Sequence, residues 1–328
     1  MEDFVHLHVH SQYSILDGQA AIKKLVDKAI ADGMKGIAVT DHGNMMGIKE
    51  FYNYVSKVNK GKAPEEMFKP IIGCEVYIAP RGYHLILLAK NEKGYHNLVK
   101  IVSKAWSEGY YYNPRTDKSE VEKYHEGIIC CSACLGGEVP QLIKNGKIDE
   151  AEAVVNWYKN LFGEDYYLEL QLHKATVERA NHEVYPLQVE VNKHIIELSK
   201  KCGVKLICSN DVHFVDEENA EAHDRLICLS TGKDLDDPNR MLYSKQEWMK
   251  TKAEMWEMFS DIPEAMANTV EICDKVEYYS IDSAPIMPNF AIPEDFGTEE
   301  GYRQKFTHED LFNEFTRDEK GNVVLSQE

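Results

Sequence analysis

FVHLHVHSQYSILDG, residues 4–18, begins as an apolar run in which His6, His8 and His10 alternate with other residues. Side chains two residues apart on a β-strand point to the same face, so His8 and His10 could bind one ion together. Imidazole suits Zn, Mn and Fe, whereas carboxylates suit harder cations. One HxH pair is weak evidence for a metal site, but similar clusters recur later in the chain. We interpret His6, one pleat further from the strand end, as a core residue.

Six further apolar runs rich in β-branched residues follow, and most are separated by segments with helical periodicity. The predicted strands span residues 4–9, 36–40, 71–78, 84–89, 127–131, 166–172 and 204–209. Predicted helices end at stop signals such as Gly33, Gly61 and Gly203. Strands that alternate with helices are typical of parallel βα units, so the sequence predicts an α/β fold.

Histidines and acids lie at the ends of several of these runs. Asp41 and His42 follow the second run, and Asp211 and His213 follow the seventh. In a βα barrel, the active site forms at the C-terminal ends of the strands. His84 instead begins its run, but the connection APRGY before it is too short for a parallel crossover. An antiparallel turn would bring His84 to the same end of the barrel.

The motifs HxH, D-G, TDHG, GCE, YHLILLA, CLGGEVP and NDVH occur in this order. This set resembles the PHP (polymerase and histidinol phosphatase) domain. The phrases GCEVYIAPR, YHLILLAKN, GYHNLVKIVS, YYNPR and DIPEAMANT narrow the resemblance to the N-terminal domain of the bacterial replicative DNA polymerase III alpha subunit. The resemblance covers roughly residues 1–290. It implies a distorted seven-stranded (β/α) barrel with a metal site at the C-terminal face of the strands.

The resemblance also implies a ligand set for two or three divalent ions, with Zn favoured and Mn or Fe as alternatives. The ligands carried over by motif are His8, His10, Asp17, His42, Glu75, His84, Cys134, Asp211 and His213. Asp17, His42 and Asp211 are the predicted catalytic residues. Cys134 as a thiolate would favour Zn. It also fits a buried inert cysteine, or a redox pair with Cys131 in a CxxC motif.

Three further residues are predicted to support the site or contact the substrate. Asp41 is expected to orient a ligand rather than bind metal, because ligand histidines usually donate to a carboxylate. Arg115 could hold a phosphate with its fork of donors, although a surface arginine after a turn is the alternative. His173 ends the run ELQLH and is expected near the substrate.

The bulk composition limits the classes of function. The formal net charge of −18 argues against non-specific adhesion to nucleic acid. The acidic N-terminus and the lack of a long apolar run predict a cytoplasmic protein. Pro285, Pro288 and Pro293 punctuate a stretch with little periodicity. We therefore predict a PHP domain over residues 1–284, followed over residues 285–328 by a linker and the incomplete start of a polymerase region.

The sequence leaves three functions open. The first is a metal-dependent phosphoesterase acting as a 3′-to-5′ proofreading exonuclease on DNA, within a polymerase whose polymerising part lies outside this chain. The second is a metal-stabilised scaffold that docks a separate proofreading exonuclease subunit. The third is a small-molecule phosphatase or pyrophosphatase. The expected partners are the 3′ end of DNA and the rest of the polymerase III alpha chain, and no membrane is expected.

Overall fold

The strands of the first part of the chain are β1 (Gly36–Val39), β2 (Lys69–Ile78), β3 (Tyr83–Ala89), β4 (Tyr110–Tyr111), β5 (Asn113–Thr116), β6 (Ile128–Cys131), β7 (Tyr166–Leu170) and β8 (Lys205–Cys208). Six of them form one curled sheet in the order β1-β2-β3-β6-β7-β8. Neighbours are parallel except at β3, which is antiparallel to both β2 and β6. A short hairpin, β4–β5, extends β2 through a parallel pairing with β5.

The structure is a computed structural model that describes residues 3–288 and 297–325. The helices of its first part are α1 (Ile22–Ala31), α2 (Ile48–Asn59), α3 (Glu92–Ser107), α4 (Lys118–Lys123), α5 (Glu138–Lys144), α6 (Ile148–Phe162), α7 (Val184–Cys202), α8 (Ala220–Thr231), α9 (Lys252–Phe259) and α10 (Pro263–Lys275). Single 3₁₀ turns lie at Pro64–Glu66, Gly163–Asp165 and Glu217–Asn219. None of the helices in the described ranges is both long and apolar enough to cross a membrane.

The N-terminal segment closes the barrel between its two edges. On one side, the backbone N–H groups of Ala38 and Thr40 donate to the carbonyls of His6 (2.9 Å) and Val9 (2.8 Å). On the other side, the backbone of Val212, after β8, exchanges two hydrogen bonds with this segment, of 2.7 and 3.1 Å. The expected distorted (β/α) barrel is confirmed, and this segment takes the place of its seventh strand.

This segment is not the regular strand that the alternating histidines predict. The chain bends at His8, and its pairing with the segment after β8 is an isolated bridge. The N–H groups of Val5 and Val9 donate to the hydroxyls of Thr269 (3.1 Å) and Thr40 (2.8 Å) instead of to strand carbonyls. Side-chain acceptors thus interrupt the ladder that a continuous strand would need. The other six predicted runs are strands, with ends shifted by one or two residues.

The short APRGY connection forms the predicted antiparallel turn. Ile78 pairs with Tyr83, and Glu75 pairs with Ile86 on the neighbouring strand. The start of β3 therefore lies at the same end of the sheet as the end of β2. This arrangement brings His84 to the end of the barrel where the parallel strands finish.

Two apolar layers hold the barrel. Ile86 and Leu88 belong to a cluster inside the barrel, whereas Leu85 and Leu87 face the cluster shared with the surrounding helices. This alternation follows from the two-residue period of a strand. The interior cluster is wholly apolar and contains Val5, Leu7, Ala38, Ile71, Ile86, Leu88, Ile129, Cys131, Ala133, Tyr167, Ile207, Ile272, Cys273 and Val276.

Contacts divide the chain into two compact units, Met1–Ile281 and Asp282–Glu328. The predicted domain boundary after residue 284 stays a prediction. The second unit contains α11 (Glu299–Lys305) and α12 (His308–Thr316), each preceded by a threonine cap, so this tail is more regular than its sequence indicates. Pro285 and Pro288 lie outside regular secondary structure, and Pro293 lies outside the described residues.

Candidate metal centre

The HLHVH and NDVH motifs meet at one end of the barrel. The Nε2 atoms of His8 and His10 are 3.2 Å apart. Asp211 Oδ1 lies 3.1 Å from the Nε2 atom of His8 and 3.2 Å from that of His10. Both histidines are buried, and the backbone pairing of the N-terminal segment with Val212 sets this contact.

Three positions at or beside the predicted ligands have backbone conformations that side chains rarely adopt. Asp211 has a φ of 45°, Leu16 before Asp17 has 62°, and Ala133 before Cys134 has 63°. Such conformations cost energy and persist where the surrounding structure holds them, often at functional sites. Here each one turns the chain sharply at a predicted ligand.

Glu75 is the centre of the cluster. Its Oε1 atom lies 2.8 Å from His84 Nδ1 and 3.5 Å from His8 Nε2. Its Oε2 atom lies 2.5 Å from His42 Nδ1 and 3.5 Å from His10 Nε2. The carboxylate is fully buried on β2. With imidazoles near both of its oxygens, this carboxylate could hold divalent ions together with the neighbouring histidines.

Asp17 lies on the opposite side of His42. Its Oδ2 atom is 2.8 Å from His42 Nε2 and 3.5 Å from His213 Nε2. The hydroxyl of Tyr243 donates to its Oδ1 atom at 2.9 Å. Gly18 follows because any larger side chain would collide with the carbonyl of Ser11, 2.0 Å from the position of an added Cβ.

Among the described residues, potential ligand atoms converge in three groups, each within 4.8 Å, and two of these groups share His10. The groups are His10, His42 and His213; His8, His10 and Asp211; and Glu75, His84 and Cys134. In the third group, Cys134 Sγ lies 3.5 Å from His84 Nδ1. All nine ligands expected from the sequence lie in this cluster, since Asp17 contacts His42 and His213. The redox alternative is not favoured, because Cys131 belongs to the apolar interior.

Several potential ligand atoms of this cluster are buried and form no hydrogen bond within the described residues, although they lie close to one another. They are His42 Nδ1, Glu75 Oε2, Asp211 Oδ1 and His213 Nε2. Native proteins rarely leave buried polar atoms unpaired. Mixed nitrogen, oxygen and sulfur donors that converge in this way fit divalent transition ions.

The charges of the cluster are strongly coupled. Burial alone would lower the pKa of His42, but Glu75 and Asp17 raise it to about 10. For His213, burial opposes the charge of Asp17, and the pKa rises to about 9. Burial would raise the pKa of Glu75, yet His84 and His42 hold it well below its usual range. Ions bound here would therefore replace protons on the imidazoles.

Glu169 is a functional candidate that the sequence reasoning missed. Its Oε1 atom lies 2.7 Å from His8 Nδ1 and accepts from Gln171 at 2.8 Å and from Ser209 Oγ at 2.5 Å. A carboxylate on the second nitrogen fixes the tautomer of a ligand histidine. The available signal was one acid within the buried run YYLEL, on the same face as Tyr167.

Asp41 contacts the hydroxyls of two serines rather than the ligand cluster itself. Its oxygens accept from Ser11 Oγ and Ser14 Oγ, both at 2.8 Å. Ser14 Oγ in turn lies 3.0 Å from His10 Nδ1. Asp41 thus reaches His10 through one hydroxyl, as expected of an orienting residue.

Arg115 and His173 lie outside the three groups of ligand atoms. Arg115 donates to the carbonyl of Pro80 at 2.6 Å, and its guanidinium lies 5.0 Å from the ring centroid of Tyr111. His173 is buried, with its Nε2 atom 3.1 Å from the carbonyl of Asn210, so it supports the loop that bears the predicted ligand Asp211.

Two other histidines have contacts that the sequence did not indicate. His6 is buried, with its Nε2 atom 2.7 Å from the carbonyl of Lys250, which fits its interpretation as a core residue. The buried Nε2 atom of His223, on α8, lies 3.9 Å from Asp17 Oδ1. Nothing in its sequence spacing signals this proximity.

The fold and the site define a class of protein, an α/β barrel with potential metal ligands clustered at one end of its strands. Residues 6–173 match the family model described as PHP domain, so the chain belongs to the PHP family. Within that family, the curated proteins similar in sequence to this chain include several named DNA polymerase III subunit alpha, as the sequence motifs indicated.

The relative from Borreliella burgdorferi, named DNA polymerase III subunit alpha, is 42% identical over 323 residues, which is 94% of this chain and 27% of that protein. The protein of the same name from Treponema pallidum is 39% identical over 327 residues, or 95% of this chain and 26% of that protein. The chain therefore spans about a quarter of the length of these relatives.

Solved structures show more distant likeness. A putative metal-dependent phosphoesterase from Bifidobacterium adolescentis is 13% identical with a TM-score of 0.41, covering 79% of this chain and 96% of that one. Histidinol phosphate phosphatase from Lactococcus lactis, complexed with Zn, L-histidinol and phosphate, is 13% identical with a TM-score of 0.34. The match covers 76% of this chain and 99% of that one.

Proposed function

We propose that this chain is a metal-dependent phosphoesterase module of a DNA polymerase III alpha subunit and acts as a 3′-to-5′ proofreading exonuclease. The observation that carries the proposal is the set of three ligand groups, two of which share His10, while the third contains Glu75, whose carboxylate also lies close to His10 and His42. Divalent ions near a phosphate can stabilise the attacking and leaving oxygens of phosphodiester cleavage, and such a set of ligands can hold two or three of these ions, with Zn at the Cys134 group.

An open cleft leads to this cluster. Asp17 and His42 line a cavity of about 350 Å³ together with Tyr77 and Tyr243. Bound ions would polarise the phosphodiester and lower the pKa of an attacking water. Asp17 and His42 thus face the substrate, whereas Glu75 and Glu169 hold the deeper imidazoles in place. The hydroxyl of Tyr243 keeps the Asp17 carboxylate turned toward the cleft.

The relatives support DNA as the substrate. They are polymerase subunits that produce DNA 3′ ends, and this chain aligns with about a quarter of their length. Since the chain has a net charge of −18, we propose that other parts of the polymerase supply most of the affinity for DNA.

The test is hydrolysis of DNA with a mismatched 3′ end by chain purified without chelator, in the presence of Mn²⁺. We expect His10→Ala and Asp17→Asn to lower the rate at least about 100-fold, because loss of an outer contact alone typically costs 10–100-fold. His96→Ala, on the exposed face of α3, is the matched control and should retain the rate. Undiminished hydrolysis by His10→Ala would indicate a contaminating nuclease.

A metal-stabilised scaffold is the second candidate. The ligand groups join residues far apart in the chain, such as His8 and Asp211. Bound ions would therefore cross-link the N-terminal segment to the segment after β8. A scaffold of this kind could dock a separate exonuclease subunit without catalysis. If wild-type protein shows no hydrolysis, alone or within the whole polymerase, this second function is favoured.

A further inference from the structure

Exposed aromatic side chains surround the entrance to the cleft. Trp106 at the end of α3, and Tyr110 and Tyr112 on the β4–β5 hairpin, are 44%, 57% and 79% exposed. We call these three residues the aromatic rim. Large exposed aromatic groups are uncommon on protein surfaces and mark binding sites when they cluster.

The rim is physically joined to the candidate metal centre. The indole N–H of Trp106 donates to the carbonyl of Gly43, the residue after His42, at 2.8 Å. The rings of Trp106 and Tyr110 are stacked, with centroids 5.5 Å apart and an angle of 28°. All three rim residues line the same cleft as Asp17 and His42. A molecule in contact with the rim is therefore at the entrance to the site.

The lining of the cleft has little positive charge. None of the described residues that line it is a lysine or an arginine, while Ile15, Met46 and Met241 add apolar surface. The cleft therefore offers a nucleic acid no lysine or arginine for phosphate contacts. Aromatic stacking remains available, since every base has a π-face and stacking tolerates any sequence.

The size of the cleft limits what can enter. Its volume of about 350 Å³ is near the lower end of the 300–1,000 Å³ range of ligand pockets. A paired terminal base is stacked on its neighbour and held by its partner strand, so it must unpair before both of its faces are free for the rim. Unstacking costs least for a mismatched or single-stranded end.

We propose that the aromatic rim stacks the unpaired terminal bases of a single-stranded 3′ end and thereby selects frayed ends over paired ones. This inference rests on the proposed function. Tyr110 and Tyr112 supply the stacking faces, and Trp106 couples the rim to the loop that bears His42.

The test compares two oligonucleotides of equal length, one normal and one with abasic nucleotides at its 3′ end. For the wild-type chain, we expect the normal oligonucleotide to have a KM about tenfold lower, with a similar kcat. In Tyr110→Leu and Tyr112→Leu, the KM for the normal oligonucleotide should rise about tenfold while that for the abasic one stays unchanged.

Tyr111→Leu is the matched control. Tyr111 is 63% exposed on the same hairpin, but its ring packs over Arg115 and does not line the cleft. This variant should keep the wild-type preference. Equal KM values for the two oligonucleotides with the wild-type chain, or an equal loss in all three variants, would overturn the inference.

Failure of the proposed function gives a different result. If the wild-type chain hydrolyses neither oligonucleotide, fluorescence anisotropy of the same labelled oligonucleotides tests the rim by binding alone. Stacking by the rim without catalysis would be supported by two results together. The wild-type chain would bind the normal end with a lower Kd than the abasic end, and the Kd for the normal end would rise in Tyr110→Leu and Tyr112→Leu but not in Tyr111→Leu. Equal Kd values would overturn the rim as well.

Discussion

The interior and the upper end of the barrel are made by the same strands but differ in what they need for stability. The interior cluster around Leu88 and Ile129 is apolar and fully buried, so dispersion and the hydrophobic effect stabilise it without a ligand. The cluster around Glu75 buries carboxylates and imidazoles, and several of their atoms lack hydrogen-bond partners. We infer from this difference that the interior is stable without a ligand and that bound ions would stabilise the centre.

The largest expected effect on stability tests the interior. Leu88 is fully buried on β3, against Gly73 and Ile129 on the neighbouring strands. We expect Leu88→Ala to lower the free energy of unfolding by about 2–5 kcal/mol, because it loses apolar burial and leaves a cavity. Urea denaturation measures this change, and elemental analysis should find the same metal content as in wild type.

The comparison between the two regions would fail if Leu88→Ala also released the ions. The interior and the centre would then act as one cooperative unit. Lys93→Ala, on the exposed face of α3, provides the control for an ordinary surface substitution.

The second prediction concerns removal of metal. Ions that bind only the folded state stabilise it by about 2.7 kcal/mol when the concentration of free ions is 100 times their Kd. For a unit of this size, chelation should lower the Tm by roughly 5–10 °C, and added Zn²⁺ or Mn²⁺ should restore it. Differential scanning calorimetry measures the shift, and His42→Ala should show a smaller one.

An unchanged melting curve after verified removal of the ions would contradict this expectation. It would mean that the pairs of Glu75 and Asp17 with protonated histidines stabilise the centre as well as ions do.

The smallest effect is expected at Glu169, which contacts the centre only through His8. Glu169→Gln keeps the shape of the side chain but removes the charge that orients the imidazole. We expect metal affinity to fall about 10–100-fold, as for other outer contacts of metal sites. Competition with a chromophoric chelator measures the change. Glu190→Gln, exposed on α7, is the matched control, and equal affinity in both variants would exclude an orienting role.

Local sequence patterns were sufficient for the type of fold and for the chemistry of the site. The pattern of apolar residues indicated the seven segments of the barrel, because it reports burial over a few neighbouring positions. The short connection before His84 determined an antiparallel turn, since a chain of this length cannot cross over to a parallel strand. The clusters HLHVH, TDHG and NDVH specified imidazole and carboxylate donors at strand ends.

The tertiary structure decided which of these atoms meet. The contact of His8 with Asp211 depends on closure of the barrel, which brings the N-terminal segment against the segment after β8. The bend at His8, the support from Glu169 and the approach of Tyr243 to Asp17 likewise depend on strand register and on long-range packing. Periodicity carries no information about pairings between distant residues. The sequence therefore determined which residues are candidate ligands, and only the fold determined their arrangement and the aromatic rim beside them.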